Sequence, residues 1–387
     1  MTLEIIAAAT LAIWLYLLLA RGGFWRAGER DDADLPALPA TWPSVVAVIP
    51  ARDEAANVGE TIGSLVRQDY PGSFAIVLVD DDSRDGTAQA AREAAQAAQA
   101  DDRLTVLRGQ PLPKGWTGKL WAMKQGIEAA TGRAQPPDYL LLTDADILYS
   151  PDALKRLVAR AQAGDFALTS LMVKLRCDSL AERALVPAFV FFFALLYPFS
   201  WVNRGDRATA AAAGGCMLVR PAALRQTGGI ETIRGALIDD CALAQALKRH
   251  GPIWMGLTQN VRSIRPYPRL GDIRRMVSRS AYAQLRYSPL LLAGTLAGLA
   301  LTYLAAPLLA LFASGVPQAI GALVWLLMAL SFQPVLRFYR RSPLWGLALP
   351  AIALLYMAFT LDSAYQHVRG RGGSWKGRIQ ANVSELR

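Results

Sequence analysis

Three apolar runs in this chain break into acids at their carboxyl ends. Residues 45–54 read VVAVIPARDE, residues 74–83 FAIVLVDDDS and residues 139–146 YLLLTDAD. Strands this hydrophobic need cover on both faces, which helices alternating with parallel strands provide. The segments between them suit that arrangement: 57–67, 86–98 and 119–130 are helical in pattern, and LTVLRG (104–109) reads as a further strand. The expected fold is α/β, a mostly parallel sheet flanked by helices. In such sheets ligands gather beyond the carboxyl ends of the strands, where loops and helix amino ends converge. The acids therefore mark the expected site.

The chain has 387 residues, of which 53% are hydrophobic, and the apolar content is concentrated in a few long runs. The first, 3–20, has no charge after Glu4 and is followed by Arg21, Arg26 and Arg30. A cleaved signal peptide carries its positive charge before the apolar stretch. Residues 1–22 are thus expected to be an uncleaved anchor with its amino end outside. Three more runs, 290–313, 317–336 and 344–361, make 287–363 a carboxyl-terminal membrane region, with a basic tail over 364–387. Between lies the expected catalytic domain, 44–286. Its apolar segment 184–202 would split the site if it crossed the bilayer, so it is expected to lie in the interface with its aromatics at headgroup depth. The positive-inside rule puts the catalytic domain in the cytoplasm. The last run is short and contains Pro350, so it is expected to be re-entrant or interfacial; the sequon at Asn382 offers a probe of which side the tail is on.

The net charge of +10 is local: seven arginines and one acid, Asp272, lie between Arg262 and Arg286, just before a membrane run. Such a cluster is what anionic lipid attracts, and the aromatic interleaving of a strand-binding groove is thin. Nucleic acid is not an expected partner. Cys177, Cys216 and Cys241 share no metal-ligand spacing, and His250 and His367 are too isolated for a zinc site.

In VDDDSRDGT (79–87), Ser83 and Asp85 can cap the following helix. A bare cap does not need three successive carboxylates, and Asp81 could accept from the imino group of a nucleotide base or from ribose hydroxyls. In TDAD (143–146), residues two apart in an extended segment point the same way, so Asp144 and Asp146 would aim two carboxylates at one spot. That is half a site for Mg²⁺ or Mn²⁺, completed by a diphosphate. Asp239 and Asp240, before a helix with apolar spacing at Cys241, Leu243 and Leu247, are either N-caps or hold a general base.

With these motifs in this order, the chain resembles the family 2 inverting glycosyltransferases of the GT-A, or nucleotide-diphospho-sugar transferase, fold. It looks most like the bacterial hopanoid-biosynthesis-associated members and more distantly like ceramide glucosyltransferases. The likeness runs from the anchor through PARDEAANV, VDDDSRDGT, PLPKGWTGKLWAMKQG, TDAD, GGCMLVRP and IDDCAL to SWKGR. It implies that Arg52, Asp53 and Glu54 line a nucleotide pocket, with Asp81 at the base or ribose and Lys119 near the nucleotide or its diphosphate. Asp144 and Asp146 stand where the family binds its metal, Asp240 where it has its catalytic base, with Asp239 the acid beside it. Gly214 and Gly215 fall where the backbone passes close to the acceptor. The Gln-x-x-Arg-Trp signature is missing: Arg279 matches its arginine, a further cation for the diphosphate, but Met276 and Ser280 replace its neighbours, which puts processive polymer synthesis in doubt.

The implied activity is transfer of a sugar from a nucleotide-sugar donor to a lipid acceptor, a hopanoid by resemblance, at the bacterial inner membrane. Two alternatives are a polyprenyl-phosphate glycosyltransferase and a catalytically silent membrane scaffold.

Overall fold

The structure, a computed structural model, describes residues 1–375 and 378–379. The Asn382 sequon and the end of the basic tail lie outside the described residues. The chain forms two compact units. One is built chiefly from Glu29–Arg176 and Trp201–Pro266; the other from Met1–Gly28, Cys177–Ser200 and Tyr267–Gly373.

The first unit is organised by one sheet. Its strands are β1 (Val45–Ala51), β2 (Phe74–Asp80), β3 (Leu104–Arg108), β4 (Tyr139–Thr143), β5 (Ile147–Tyr149), β6 (Leu168–Lys174), β7 (Cys216–Val219) and β8 (Ile253–Ser263). They lie in the order β3-β2-β1-β4-β7-β6-β8-β5. The first four are parallel, with Ala51 opposite Asp80 and Val48 opposite Leu142. From β7 onward the sheet is mixed: β7 runs antiparallel to β4 and β6, and β5 antiparallel to β8. Every residue of β1 and β4 is buried, as strands covered on both faces must be.

The helices that pack on it are α1 (Ala55–Val66), α2 (Thr87–Ala97), α3 (Gly118–Thr131) and α4 (Ala153–Ala163), and α5 (Asp239–Leu247) precedes β8 in the chain. α1 buries Val58, Ile62, Leu65 and Val66, a helical spacing that gives one apolar stripe. α3 approaches the sheet through Gly126, where a Cβ would come within 2.4 Å of Val48 Cγ1. Any larger residue there would push α3, and with it the residues at its amino end, off the sheet.

The second unit is helical. Thr2–Leu19, Pro289–Phe312 and Val316–Phe338 are, among the described residues, the helices long and apolar enough to cross a membrane. Pro289–Phe312 contains a π-helical turn at Ala300–Leu304. Trp14 Nε1 donates to Thr302 O there at 2.8 Å, and the Trp14 and Tyr303 rings meet edge to face. A wide turn exposes carbonyls to outside donors, and such bonds help helices associate in lipid. Pro350 begins the helix Leu349–Val368 in its first turn and does not interrupt a segment there, because the first turn has no use for the missing N–H. The segment 184–202 falls mostly in the helix Leu180–Leu196, whose aromatics pack inward: Phe191 is buried against Phe24 and Phe332, and Phe192 meets Tyr303 and Tyr356.

Candidate active site

The carboxyl ends of β1, β2 and β4 are neighbours in the parallel half of the sheet, so their acid-bearing loops lie side by side. The loops after β1 and β2 are laced together. Arg52 Nη1 donates to Asp81 O at 2.5 Å, Asp53 N to Ser83 Oγ at 3.0 Å, and Arg84 N to Asp53 Oδ1 at 2.9 Å. Asp53 takes a left-handed conformation, φ 48°, which a short polar side chain tolerates. Asp85 joins both loops, accepting from Thr87 N at 3.1 Å and from Ala55 N at 2.9 Å. Its role is thus the structural one, fastening the starts of α1 and α2. Asp81 is only 1% exposed, with its carboxylate 3.6 Å from Arg52. A base could reach it only with some change in this loop.

After β4 the chain departs from the extended geometry that the spacing of Asp144 and Asp146 suggests: β4 stops at Thr143 and residues 145–146 form a turn. The two carboxylates consequently meet different cations. Asp144 Oδ1 lies 3.0 Å from Lys119 Nζ. Asp146 Oδ2 accepts from Arg265 Nε at 2.8 Å and from Ser263 Oγ at 3.1 Å. Burial raises the Asp146 pKa, and the charges of Asp144 and Glu54 add to that against the pull of Arg265. The other arm of Arg265, Nη2, donates to Glu54 Oε1 at 2.5 Å.

Lys119, at the amino end of α3, is the hub. Thr117 caps that helix, its hydroxyl accepting from Leu120 N, so the lysine emerges from an anchored turn. Its ammonium is 3.0 Å from Asp144 and 3.1 Å from Asp239 Oδ2. Burial would lower the pKa of this lysine, but Asp144, Asp239 and Asp240 together raise it, so it is an ammonium throughout the physiological range.

Asp239 and Asp240 are the first two residues of α5, whose N-cap is Ile238, so neither is the N-cap. Acids in a first turn are favoured by the helix dipole. Asp240 Oδ2 accepts from Gly214 N at 2.9 Å and Oδ1 from Cys241 N at 2.8 Å. A Cβ on Gly214 would stand 3.2 Å from Lys119 Nζ and 3.5 Å from Asp240 Oδ2, so the missing side chain lets the main chain reach the carboxylate. The glycine loop is held from behind: Thr143 Oγ1 donates to Gly215 O at 2.8 Å, and Ala213 N to Ser170 Oγ at 2.9 Å. Burial, with the charge of Asp239, pushes the Asp240 carboxyl up to about 6, against the opposing Lys119 and the two backbone donors.

Two carboxylates, Asp144 more than a third exposed and Asp146 with Oδ2 already engaged, supply hard oxygen donors. Among the described residues no group of three or more His, Cys, Asp or Glu forms a ready-made cage. This donor set fits Mg²⁺ or Mn²⁺, which at phosphate sites keeps waters and substrate oxygens as its remaining ligands. Arg279, at the C-cap of Leu270–Ser278, belongs to the helical unit, and its link to the donor stays an expectation of the resemblance. The three cysteines are free, and His367 stacks on Tyr287.

Arg265 and Ser263 are not among the residues expected at the site. Arg265 falls among the arginines expected to face anionic lipid, yet it turns toward Asp146 and Glu54. The signal that could have found it is its place just beyond the end of a strand, the position that marked the acids.

Residues 46–228 match the family described as Glycosyl transferase family 2. The chain is 31% identical over 144 residues to an N-acetylglucosaminyltransferase of Mesorhizobium japonicum, covering 36% of this chain and 30% of that relative. It is 30% identical over 180 residues to an undecaprenyl-phosphate 4-deoxy-4-formamido-L-arabinose transferase of Pseudomonas fluorescens, 44% of each. The chain thus spans less than half the length of these relatives. In three dimensions it resembles a mannosyltransferase of Pyrobaculum calidifontis solved with GDP-Man and Mn²⁺, with a TM-score of 0.57 and 21% identity over 93% of this chain and 99% of that one. The fold is the expected GT-A fold, a mixed, mostly parallel sheet flanked by helices.

Proposed function

We propose that this chain is a membrane-bound inverting glycosyltransferase that moves a sugar from a nucleotide-sugar donor to a hydroxyl of a lipid acceptor. The observation that carries the reading is Asp240: a half-buried carboxylate aimed by two backbone N–H groups, its proton affinity raised into the range of a general base, one lysine away from Asp144. Asp240 takes the proton of the acceptor hydroxyl. The acceptor oxygen bonds to the anomeric carbon as the bond from that carbon to the diphosphate oxygen breaks on the opposite face, and the electron pair leaves with the nucleoside diphosphate. A single displacement inverts the centre. Lys119 holds Asp144 and Asp239 in place and puts positive charge beside the leaving diphosphate. A divalent cation held by Asp144 and Asp146 would, when bound, offset further charge on that group.

The apolar helices support a lipid acceptor, since a substrate in the bilayer must meet a site kept at its surface. The arginines after the first helix support a cytoplasmic face of a bacterial inner membrane. A hopanoid as that lipid is supported by the sequence resemblance alone. A second reading, a polyprenyl-phosphate acceptor, is favoured by the Pseudomonas fluorescens relative; the two separate on whether the acceptor must carry a phosphate. The experiment is a thermal-shift screen of the purified protein against nucleoside diphosphates with and without Mn²⁺, followed by transfer assays with Asp240→Asn. Stabilisation by one diphosphate with Mn²⁺, and loss of transfer in the variant with donor binding intact, are the expected results. Transfer at the wild-type rate in Asp240→Asn would remove the base.

A further inference from the structure

Arg265 lies beyond the residues 46–228 that match the family and belongs to none of the motifs that drew attention to the site. Its geometry is nonetheless specific. β8 runs antiparallel beside β5 with Ser263 opposite Ile147, so the chain leaving β8 passes the turn that carries Asp146. Ile264 N donates to Asp146 O at 3.0 Å, Ser263 Oγ to Asp146 Oδ2 at 3.1 Å, and Arg265 Nε to the same oxygen at 2.8 Å. From there the guanidinium reaches Glu54, on the loop after β1. Both carboxylates are buried, with side chains 8% exposed.

Asp146 Oδ2 therefore has two donors, and its other oxygen is the one left for a cation. The planar fork supplies N–H groups in two fixed directions, which an ammonium cannot do. Groups that orient a metal ligand from behind tune affinity for the ion without touching it. We propose that Arg265 is a positioning residue for a divalent cation: it fixes Asp146 by one oxygen, ties it to Glu54 across two loops, and leaves the second oxygen for the ion. The inference rests on the reading of Asp144 and Asp146 as cation ligands.

The test is a Mn²⁺ titration of the full-length protein followed by electron paramagnetic resonance, with UDP and separately with GDP, on wild type, Arg265→Gln and Arg265→Lys. Melting temperature and metal-free binding of the same nucleotides are measured alongside. Arg265→Gln is expected to weaken Mn²⁺ binding roughly 10- to 100-fold. Arg265→Lys, which keeps the charge but not the fork, should weaken it less, and metal-free nucleotide binding should stay as in wild type. Unchanged Mn²⁺ affinity with a lowered melting temperature would make Arg265 a structural tie only and overturn the inference. So would tighter Mn²⁺ binding, which makes it a competitor of the ion, or an equal loss of metal-free binding, which makes it a ligand of the diphosphate. If Arg265→Gln does not fold, Arg265→Lys decides, with a several-fold weakening as the expected result. A wild type that binds no Mn²⁺ with either nucleotide overturns the cation reading itself, a failure seen before any variant is compared.

Discussion

Lys119 and Arg265 each bridge acids from separate loops, but in different ways. Lys119 is a point charge shared among Asp144, Asp239 and Asp240, and its field opposes the burial that raises the Asp240 carboxyl. Arg265 is a fork locked onto Glu54 and Asp146. The ammonium side of the site is organised to set acidity, the guanidinium side to set direction. This is the difference expected between a compact cation that ranks its neighbours by distance and a planar one that selects them by angle.

The comparison breaks most directly at Asp240. Replacing it with Asn should lower the transfer rate by about 10²–10⁴, the usual worth of a positioned general base, with nucleotide affinity unchanged by calorimetry; if turnover fell no further than tenfold, the ammonium side would have no base to tune. Next in size is Lys119→Met, for which the expected loss is about 10²-fold, the effect of removing one preorganised charge from a site of this kind. Its sharper readout is pH. In the proposed role Asp240 must be ionised to act, and with its carboxyl pushed up to about 6 the wild-type rate should fall as pH drops through 6 and level off above it. Without the ammonium that limb should move to higher pH; an unmoved limb in Lys119→Met would erase the contrast with Arg265.

A smaller effect concerns stability. Because the folded state holds the Asp240 proton more tightly than the unfolded chain does, this group's contribution declines as pH rises from about 4 to about 6 and is flat above. Asp240→Asn should therefore melt a few degrees higher than wild type at pH 7, and the gap should close toward pH 4, measured by scanning calorimetry. Smallest is Asp85→Ala. It removes a loop fastening that involves no cation, so about 1 kcal/mol of stability should go with the rate per folded molecule unchanged. A matching loss of rate would show that loop order, and not charge, governs both bridges.

The parallel half of the sheet was legible in the sequence because β1, β2 and β4 are apolar, mostly buried and run into acids, so composition and position carry the same message. The mixed half was not. β5 has three residues and β7 four, too few to show a period, and the pairings that place them join positions far apart in the chain. Asp144 and Asp146 were legible as a pair of acids, but not their divergence. That depends on a turn at residues 145–146 and on Arg265, 119 residues further along. Arg265 itself was hidden by its neighbours: six other arginines between 262 and 286 suggest a lipid-facing cluster, and only its place just beyond the end of β8 sets the inward one apart. Gly214 was expected where the backbone comes close to the acceptor, but the carboxylate that its N–H meets is set by tertiary folding.

The two amides on Asp240 come from the main chain, so side-chain substitutions nearby leave them in place. Main chain from residues 214 and 241 steers the carboxylate and favours its charged form, whereas burial and the side chains of Asp239 and Lys119 shift how readily it gives up its proton. Substitutions around this acid can therefore retune it to a new working pH while leaving it pointed where it was, which makes this corner of the molecule a dial that an engineer, or a lineage changing habitat, can turn without rebuilding the pocket.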